Sequence, residues 1–336
     1  MSEQLPTQLV DRFGRRVTYV RMSITDRCDF RCVYCMDEEM QFMPREQLLT
    51  LEEIVRLLKA FCELGVEKIR ITGGEPLVRR NVDWLINQIG ALKSSTSLKE
   101  LNLTTNGSQL PKYAESLAKS GMDRINISLD SLNPERFKAL TRTGDLADVL
   151  AGIESAKKAG FKRIKLNAVI MKGRNDDEIC DLAQFAIDND LDISFIEEMP
   201  LGEVIHQRSE SFCSSDEVLA ALQARFNLQP SIESTGGPSR YYQLPDKRSK
   251  IGFISPHSHN FCSSCNRVRV TTEGRLLLCL GQEHSVDLRQ VMRAHPEDDL
   301  RLKQAIIKSM DIKPEGHEFD IKAQPIIFRH MSVTGG

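Results

Sequence analysis

The stretch Val17-Thr-Tyr-Val-Arg-Met-Ser-Ile-Thr25 runs directly into Asp26-Arg-Cys28-Asp-Phe-Arg-Cys32-Val-Tyr-Cys35, a strand feeding a loop that carries three cysteines. The first half is rich in β-branched and apolar residues, as strands are. Strand geometry puts alternate residues on one face, so Arg21, Ser23 and Thr25 point the same way. The same texture returns at Val66–Thr72, Lys99–Thr105, Asp123–Asp130, Phe161–Ile170 and Leu191–Met199. Helical stretches lie between them at Thr50–Leu64, Asn81–Leu92, Pro111–Ser120, Asp145–Ala159 and Asp176–Asp188. Gly65, Gly121 and Gly160 stand where helices stop. Strands joined by helical crossovers predict an α/β protein with a parallel sheet, open or closed into a barrel.

Buried parallel strands are usually apolar throughout, yet these alternate. Arg70 and Thr72 share a face of the second strand, Asn102 and Thr104 of the third, Asn126, Ser128 and Asp130 of the fourth, Lys165 and Asn167 of the fifth. The sixth shows the pattern poorly. A solvated sheet face would explain one such strand. Repeated on strands whose outer sides are covered by helices, the pattern predicts a wide barrel holding a large polar ligand.

The composition leaves room for a sizeable core in 336 residues, and a net charge of −2 gives no overall footprint for nucleic acid or an anionic membrane. No stretch approaches the ~20 apolar residues of a spanning helix, and Met1–Val10 lacks the apolar core of a secretory signal. The cytoplasm is expected. There, nine cysteines read as metal ligands, catalytic groups or buried thiols. Beyond Ser209 the texture changes, and the Gly-, Pro- and Ser-rich Ser234–Arg240 reads as a linker. The division expected is 12–234 and 235–336.

Cys28, Cys32 and Cys35 can reach three corners of an iron–sulfur cubane and leave the fourth iron open to a chelating substrate. Zinc, with Asp26, Asp29 or Asp37 as a further ligand, is the alternative. Cys262, Cys265 and Cys279 form a second triplet, equally readable as a zinc ribbon completed by His257, His259 or His284. Directly after its first pair, Arg267 and Arg269 would project together from an extended chain and clamp phosphates. Cys62, Cys180 and Cys213 fall outside both patterns and read as buried structural thiols.

Cys-x3-Cys-x2-Cys with Tyr34 before the last cysteine, followed by Gly73-Gly74-Glu75-Pro76, resembles the radical S-adenosylmethionine superfamily. Thr104-Thr-Asn-Gly107, Asn126-Ile-Ser-Leu-Asp130, Phe195-Ile-Glu-Glu-Met199 and Phe261-Cys-Ser-Ser-Cys-Asn-Arg267 narrow the likeness to the GTP 3′,8-cyclase family of molybdenum-cofactor biosynthesis. Asp29, where that family more often has Asn, and Ser263-Ser264 between the cysteines are minor departures.

The resemblance implies an incomplete (β/α)6 TIM-like barrel, with a C-terminal iron–sulfur domain closing it. It implies two [4Fe–4S] clusters, one on Cys28, Cys32 and Cys35 and one on Cys262, Cys265 and Cys279. S-adenosyl-L-methionine would meet Tyr34, Gly74, Ser128 and Met199. GTP would meet Arg21, Arg70, Thr104, Lys165, Arg267 and Arg269, and Gly335 and Gly336 would act in catalysis. The partners implied are GTP, an external electron donor and the cyclic pyranopterin monophosphate synthase that takes the product, with no nucleic acid and no membrane; a homodimer is compatible. A peptide-modifying radical enzyme is the rival within the superfamily, and a zinc or iron–sulfur nucleic-acid module the rival outside it. The Gly-Gly end taken alone reads as a frayed terminus or a sulfur-carrier tail.

Overall fold

A computed structural model describes residues 5–335 except 203, 234–235, 322–326 and 328. Six parallel strands form its centre in chain order: β1 (Tyr19–Ser23), β2 (Lys68–Thr72), β3 (Glu100–Thr105), β4 (Arg124–Ser128), β5 (Ile164–Ile170) and β6 (Asp192–Glu197). Each lies inside a segment that the sequence marks as a strand. Between them run α1 (Leu51–Glu63), α2 (Val82–Ala91), α3 (Leu110–Lys119), α4 (Pro134–Thr141), α5 (Leu146–Lys158) and α6 (Ile179–Asp188).

Local chemistry sets the helix ends. Thr50 and Glu53 form a reciprocal capping box on α1, the Glu53 amide donating to Thr50 Oγ1 at 3.1 Å and the Thr50 amide to Glu53 Oε2 at 2.8 Å. Gly65, Gly121 and Gly160 take φ of +90°, +78° and +86°, the left-handed turn that ends a helix at little cost only with glycine. Helix α4 is absent from the sequence reading. Its Asn133 cap and Pro134 are ordinary start signals, but only Phe137, Leu140 and Thr141 of its eight residues are buried, too few to show a period.

The C-terminal region adds to both edges of this sheet. Strand β9 (Lys250–Ile254) pairs parallel with β6, and β10 (Arg267–Val270) pairs parallel with β1. Outside β9 lie β8 (Arg240–Gln243) and β7 (Gln229–Ser231); outside β10 lie β11 (Arg275–Leu277) and β12 (Ser285–Asp287). The twelve strands run β12-β11-β10-β1-β2-β3-β4-β5-β6-β9-β8-β7, and among the described residues no ladder joins the two ends. The barrel is incomplete, as expected. Its outer wall is apolar: Ile69, Ile71, Leu101, Leu103, Ile125, Ile127, Leu166 and Ile193 are all fully buried beneath the helices. Its inner wall is polar: Arg70, Asn102, Asn126, Lys165 and Ser194 are also buried. Ser194 supplies the inward polar group that the sixth strand lacks in the sequence pattern. It accepts from Lys165 Nζ at 3.1 Å.

Candidate active site

Two adjoining cavities of about 160 and 150 Å³ fill the inner side of the sheet. Thr104, Asn167, Ile196, Met199 and Met331 line both. The upper cavity lies at the C-terminal ends of the strands and is walled by Cys28, Cys32, Cys35, Tyr34, Gly74 and Ser128. The lower one holds Arg21, Arg70, Lys165, Arg267, Arg269, Cys262, Cys265 and Cys279. Apart from the terminal glycines, every residue assigned a role from the sequence therefore faces one of the two cavities.

Buried carboxylates hold the upper loop. Glu75, fully buried, accepts from Thr105 Oγ1 at 2.8 Å and from the amides of Asn106 at 2.6 Å and Leu77 at 2.9 Å. Burial pushes its carboxyl up to about 8. Asp29 ties the cysteine loop to the end of β3 through Asn106 Nδ2 and Ser108 Oγ, both at 2.6 Å. Asp130 accepts from Tyr34 Oη at 2.7 Å and the Val169 amide at 2.8 Å, and burial raises it to about 6. Gly73 and Gly74 serve the same joint. A Cβ on Gly74 would stand 2.3 Å from the Arg27 carbonyl oxygen, and one on Gly73 2.6 Å from that of Thr25. Their bareness lets two loops cross, and the Gly74 amide is already spent on Thr25 O at 2.7 Å.

Burial raises all three upper thiols, Cys35 to about 12. Three thiolates among Glu75, Asp29 and Asp130 call for positive charge, which cluster iron and a sulfonium supply. The donor set therefore fits a cluster with S-adenosylmethionine. Two of the three candidate zinc partners are engaged elsewhere: Asp29 accepts from Asn106 and Ser108, and Asp26 accepts from the Met43 amide at 2.6 Å. Among the described residues no three His, Cys, Asp or Glu side chains converge on one ion position.

The lower cavity has the opposite sign. Burial, together with repulsion from Arg21 and Arg267, drives Arg269 well below the usual guanidinium range. Burial likewise lowers Arg21 to about 10 and Lys165 to about 8. Burial would raise the Tyr19 hydroxyl, but Arg70, Arg21 and Arg267 outweigh it and bring it to about 7. Arg21 Nε, Asn126 Oδ1 and Asn167 Oδ1 are buried with no hydrogen-bond partner. Buried cations and orphaned polar atoms are costly unless a ligand satisfies them, so this wall is built for a polyanion.

Against β10, Lys313 Nζ stands 3.9 Å from Cys265 Sγ and donates to the carbonyls of Arg267 at 3.0 Å and Leu278 at 2.6 Å. Arg15 donates to the Cys262 carbonyl at 2.8 Å. Burial would raise Cys265, but Arg267, Lys313 and Arg15 outweigh it, and the thiol is lowered. The zinc-ribbon histidines are engaged elsewhere: His257 with Glu198 O at 3.0 Å, His259 with Asp216 at 2.7 Å, His284 with Gln282 at 3.2 Å.

The chain is 59% identical over 98% of its length to a GTP 3′,8-cyclase of Marinobacter nauticus, covering 99% of that protein. It is 60% identical over 99% of its length to one of Pseudomonas entomophila, covering all of it. The chain belongs to the GTP 3′,8-cyclase family. Residues 22–186 match the Radical SAM superfamily, and residues 191–319 match Molybdenum Cofactor Synthesis C. The crystal structure of Streptococcus suis SuiB bound to S-adenosylmethionine shares the fold, with a TM-score of 0.61 at 16% identity over 83% of this chain and 65% of that one.

Several residues of the site were given no role from the sequence. Tyr19, Asn126, Asn167 and His317 line the cavities. His317 stacks on Phe319 at 4.6 Å and keeps a buried, unpartnered Nε2. For Tyr19, Asn126 and Asn167 the strand alternation was the available signal. His317 had none, because loop packing places it. The terminal turn Met331–Thr334 is buried against the site, and the Gly335 carbonyl accepts from Arg269 Nη1. A Cβ on Gly335 would fall 1.6 Å from Thr72 Oγ1. Gly336 lies outside the described residues. One expectation is corrected: Cys62 and Cys213 are buried, but Cys180 is half-buried. It sits on the flank of α6, where its thiol faces the Ala221 carbonyl at 3.5 Å.

Proposed function

We propose that this chain converts GTP to 3′,8-cyclo-7,8-dihydro-GTP, the opening step of molybdenum-cofactor biosynthesis. The carrying observation is the contact of an anionic, thiol-lined cavity with a cationic one across Thr104, Asn167, Ile196, Met199 and Met331. Cys28, Cys32 and Cys35 hold one [4Fe–4S] cluster, and Tyr34, Gly74, Ser128 and Met199 hold S-adenosylmethionine beside it. Cys262, Cys265 and Cys279 hold a second cluster in a C-terminal domain that begins near residue 235. Bound beside the first cluster, S-adenosylmethionine would supply the radical chemistry: one electron would cleave it to methionine and, with the 3′ hydrogen of the GTP ribose, 5′-deoxyadenosine, and one further electron with a proton would complete the nucleotide once C3′ is joined to C8 of guanine.

The chain's own part is placement. Arg21, Arg70, Lys165, Arg267 and Arg269 neutralise the triphosphate, Thr104 and Arg70 (3.3 Å apart) fix its inner end, and the buried lumen excludes water. Gly335 and Gly336 act on the radical step, with Arg269 on the Gly335 carbonyl as the supporting contact. Electrons come from an external donor, and the product passes to the cyclic pyranopterin monophosphate synthase. The test is an anaerobic reaction of the iron-reconstituted protein with GTP, S-adenosylmethionine and reductant. Cyclised nucleotide supports the reading. Release of 5′-deoxyadenosine with GTP unaltered would reject it.

A further inference from the structure

A third cavity, a groove of about 920 Å³, lies at the opposite end of the barrel from the upper cysteines. Lys68, Glu100, Arg124, Ile164, Asp192 and Lys250 line it, and each is the first residue of its strand (β2 to β6 and β9). The groove is therefore the barrel floor. Lys68, Glu100 and Arg124 also line the cationic cavity. Among the described residues, two ion pairs made by these side chains stand between the spaces: Lys68–Glu100 at 2.5 Å and Arg124–Asp192 at 3.2 Å. Arg124 is 3% exposed and its Nε has no hydrogen-bond partner, so a buried, half-satisfied cation stands in the passage.

The outer rim carries Lys162, Arg163 and Arg248, all exposed. Among the described residues none of the three has an ion-pair partner, whereas Lys157 and Lys250 on the same rim are paired with Glu154 and Glu233. The other end of the lumen is crowded. The cysteine loop and the buried turn Met331–Thr334 stand there, with Gly335 packed against Thr72.

We propose that the floor is the door for the nucleotide: a polyphosphate is gathered by Lys162, Arg163 and Arg248 and passes Lys68–Glu100 and Arg124–Asp192 to reach Arg21, Arg267 and Arg269. S-adenosylmethionine takes the cavity at the other end, so the two molecules do not share a route. This rests on GTP being the ligand of the cationic cavity. Asp188 and Asp190 share this rim, and the groove lining carries seven Lys and Arg against five Asp and Glu. A rim with such a net positive charge raises the association rate of an anion and makes it fall with salt. Lys68–Glu100 lies partly open to water, at 16% and 23% exposure, and parts at modest cost. Arg124 is buried, so it can leave Asp192 only as the arriving phosphate replaces that carboxylate.

The experiment is stopped-flow association of a fluorescent GTP analogue with the cluster-loaded enzyme. In the parent, the association rate should be the same with and without saturating S-adenosylmethionine. In the Lys162→Glu, Arg163→Glu, Arg248→Glu variant it should fall by about tenfold and lose most of its salt dependence. Melting temperature and S-adenosylmethionine binding should match the parent. A rate unchanged by the triple variant, or one blocked by bound S-adenosylmethionine, overturns the floor route. Failure of the parent to bind the analogue at any concentration would instead overturn the GTP reading itself.

Discussion

The two cysteine triplets offer the same donors in opposite surroundings. Around Cys28, Cys32 and Cys35 the charged neighbours are Asp29, Glu75 and Asp130, and the thiols are raised. Around Cys262, Cys265 and Cys279 they are Arg15, Arg267 and Lys313, and Cys265 is lowered, although burial still raises Cys279. A shared ligand set thus does not mean a shared job. The acidic site favours a cationic partner, as a sulfonium is, and the basic site favours an anionic one, as a nucleotide triphosphate is. The cavities meet at Met199 and Met331, so under the proposed function each partner would be held by its own charge with its reactive end toward the other.

The largest expected effect separates the two sites outright. Iron analysis should give about eight atoms per chain in the reconstituted parent and about four when either triplet becomes alanine. Loss of Cys28, Cys32 and Cys35 should abolish cleavage of S-adenosylmethionine. Loss of Cys262, Cys265 and Cys279 should leave cleavage and stop cyclisation. Zinc in the second site of protein kept strictly free of oxygen would break the comparison.

Next in size is the terminal turn, whose Met331 lines both cavities and whose Gly335 packs against Thr72 and accepts from Arg269. Deleting Gly335 and Gly336 should abolish cyclised product while iron content and melting temperature stay near the parent's. Normal turnover by the truncated chain would return these residues to a frayed end.

The basic wall alone is tested by Arg267→Ala with Arg269→Ala. Truncating desolvated charge partners costs ~2–5 kcal/mol, so isothermal titration should show GTP binding weakened roughly 30-fold or more. S-adenosylmethionine binding should not change, since neither arginine faces the upper cavity.

A smaller effect follows from Lys165, which burial lowers to about 8. A lysine is charged below its pKa, and the charged form holds phosphate. In a Tyr19→Phe background, which removes the other group of this cavity that titrates nearby (brought to about 7), GTP affinity should therefore be full below about pH 8 and decline above it. One linked proton limits the decline to about tenfold per pH unit. A dissociation constant flat from pH 7 to 9.5 would remove Lys165 from the phosphate wall.

Much of this was legible in the sequence because strand alternation carries two kinds of information at once. Arg21, Arg70, Asn126 and Lys165 mark both the strand period and the inner wall. The cysteine spacings and Gly73-Gly74-Glu75-Pro76 named the chemistry. The motif did not reveal why its glycines are bare: they let the loop cross Thr25 and Arg27. Nor could spacing reveal Lys313, Arg15 or His317, which reach the second triplet or its cavity through packing of segments far apart in the chain. Helix α4 escaped for want of a buried stripe, and Cys180 because a cysteine's burial depends on which flank of its helix is covered.

The central claim is that the two cavities bring the ribose of GTP to the radical generated above Cys28, Cys32 and Cys35. The most direct measurement uses GTP deuterated at C3′, with mass analysis of the 5′-deoxyadenosine released by the reconstituted enzyme. The account predicts that deuterium appears in 5′-deoxyadenosine together with cyclised nucleotide. Unlabelled 5′-deoxyadenosine, with all the deuterium left in the nucleotide, would contradict it.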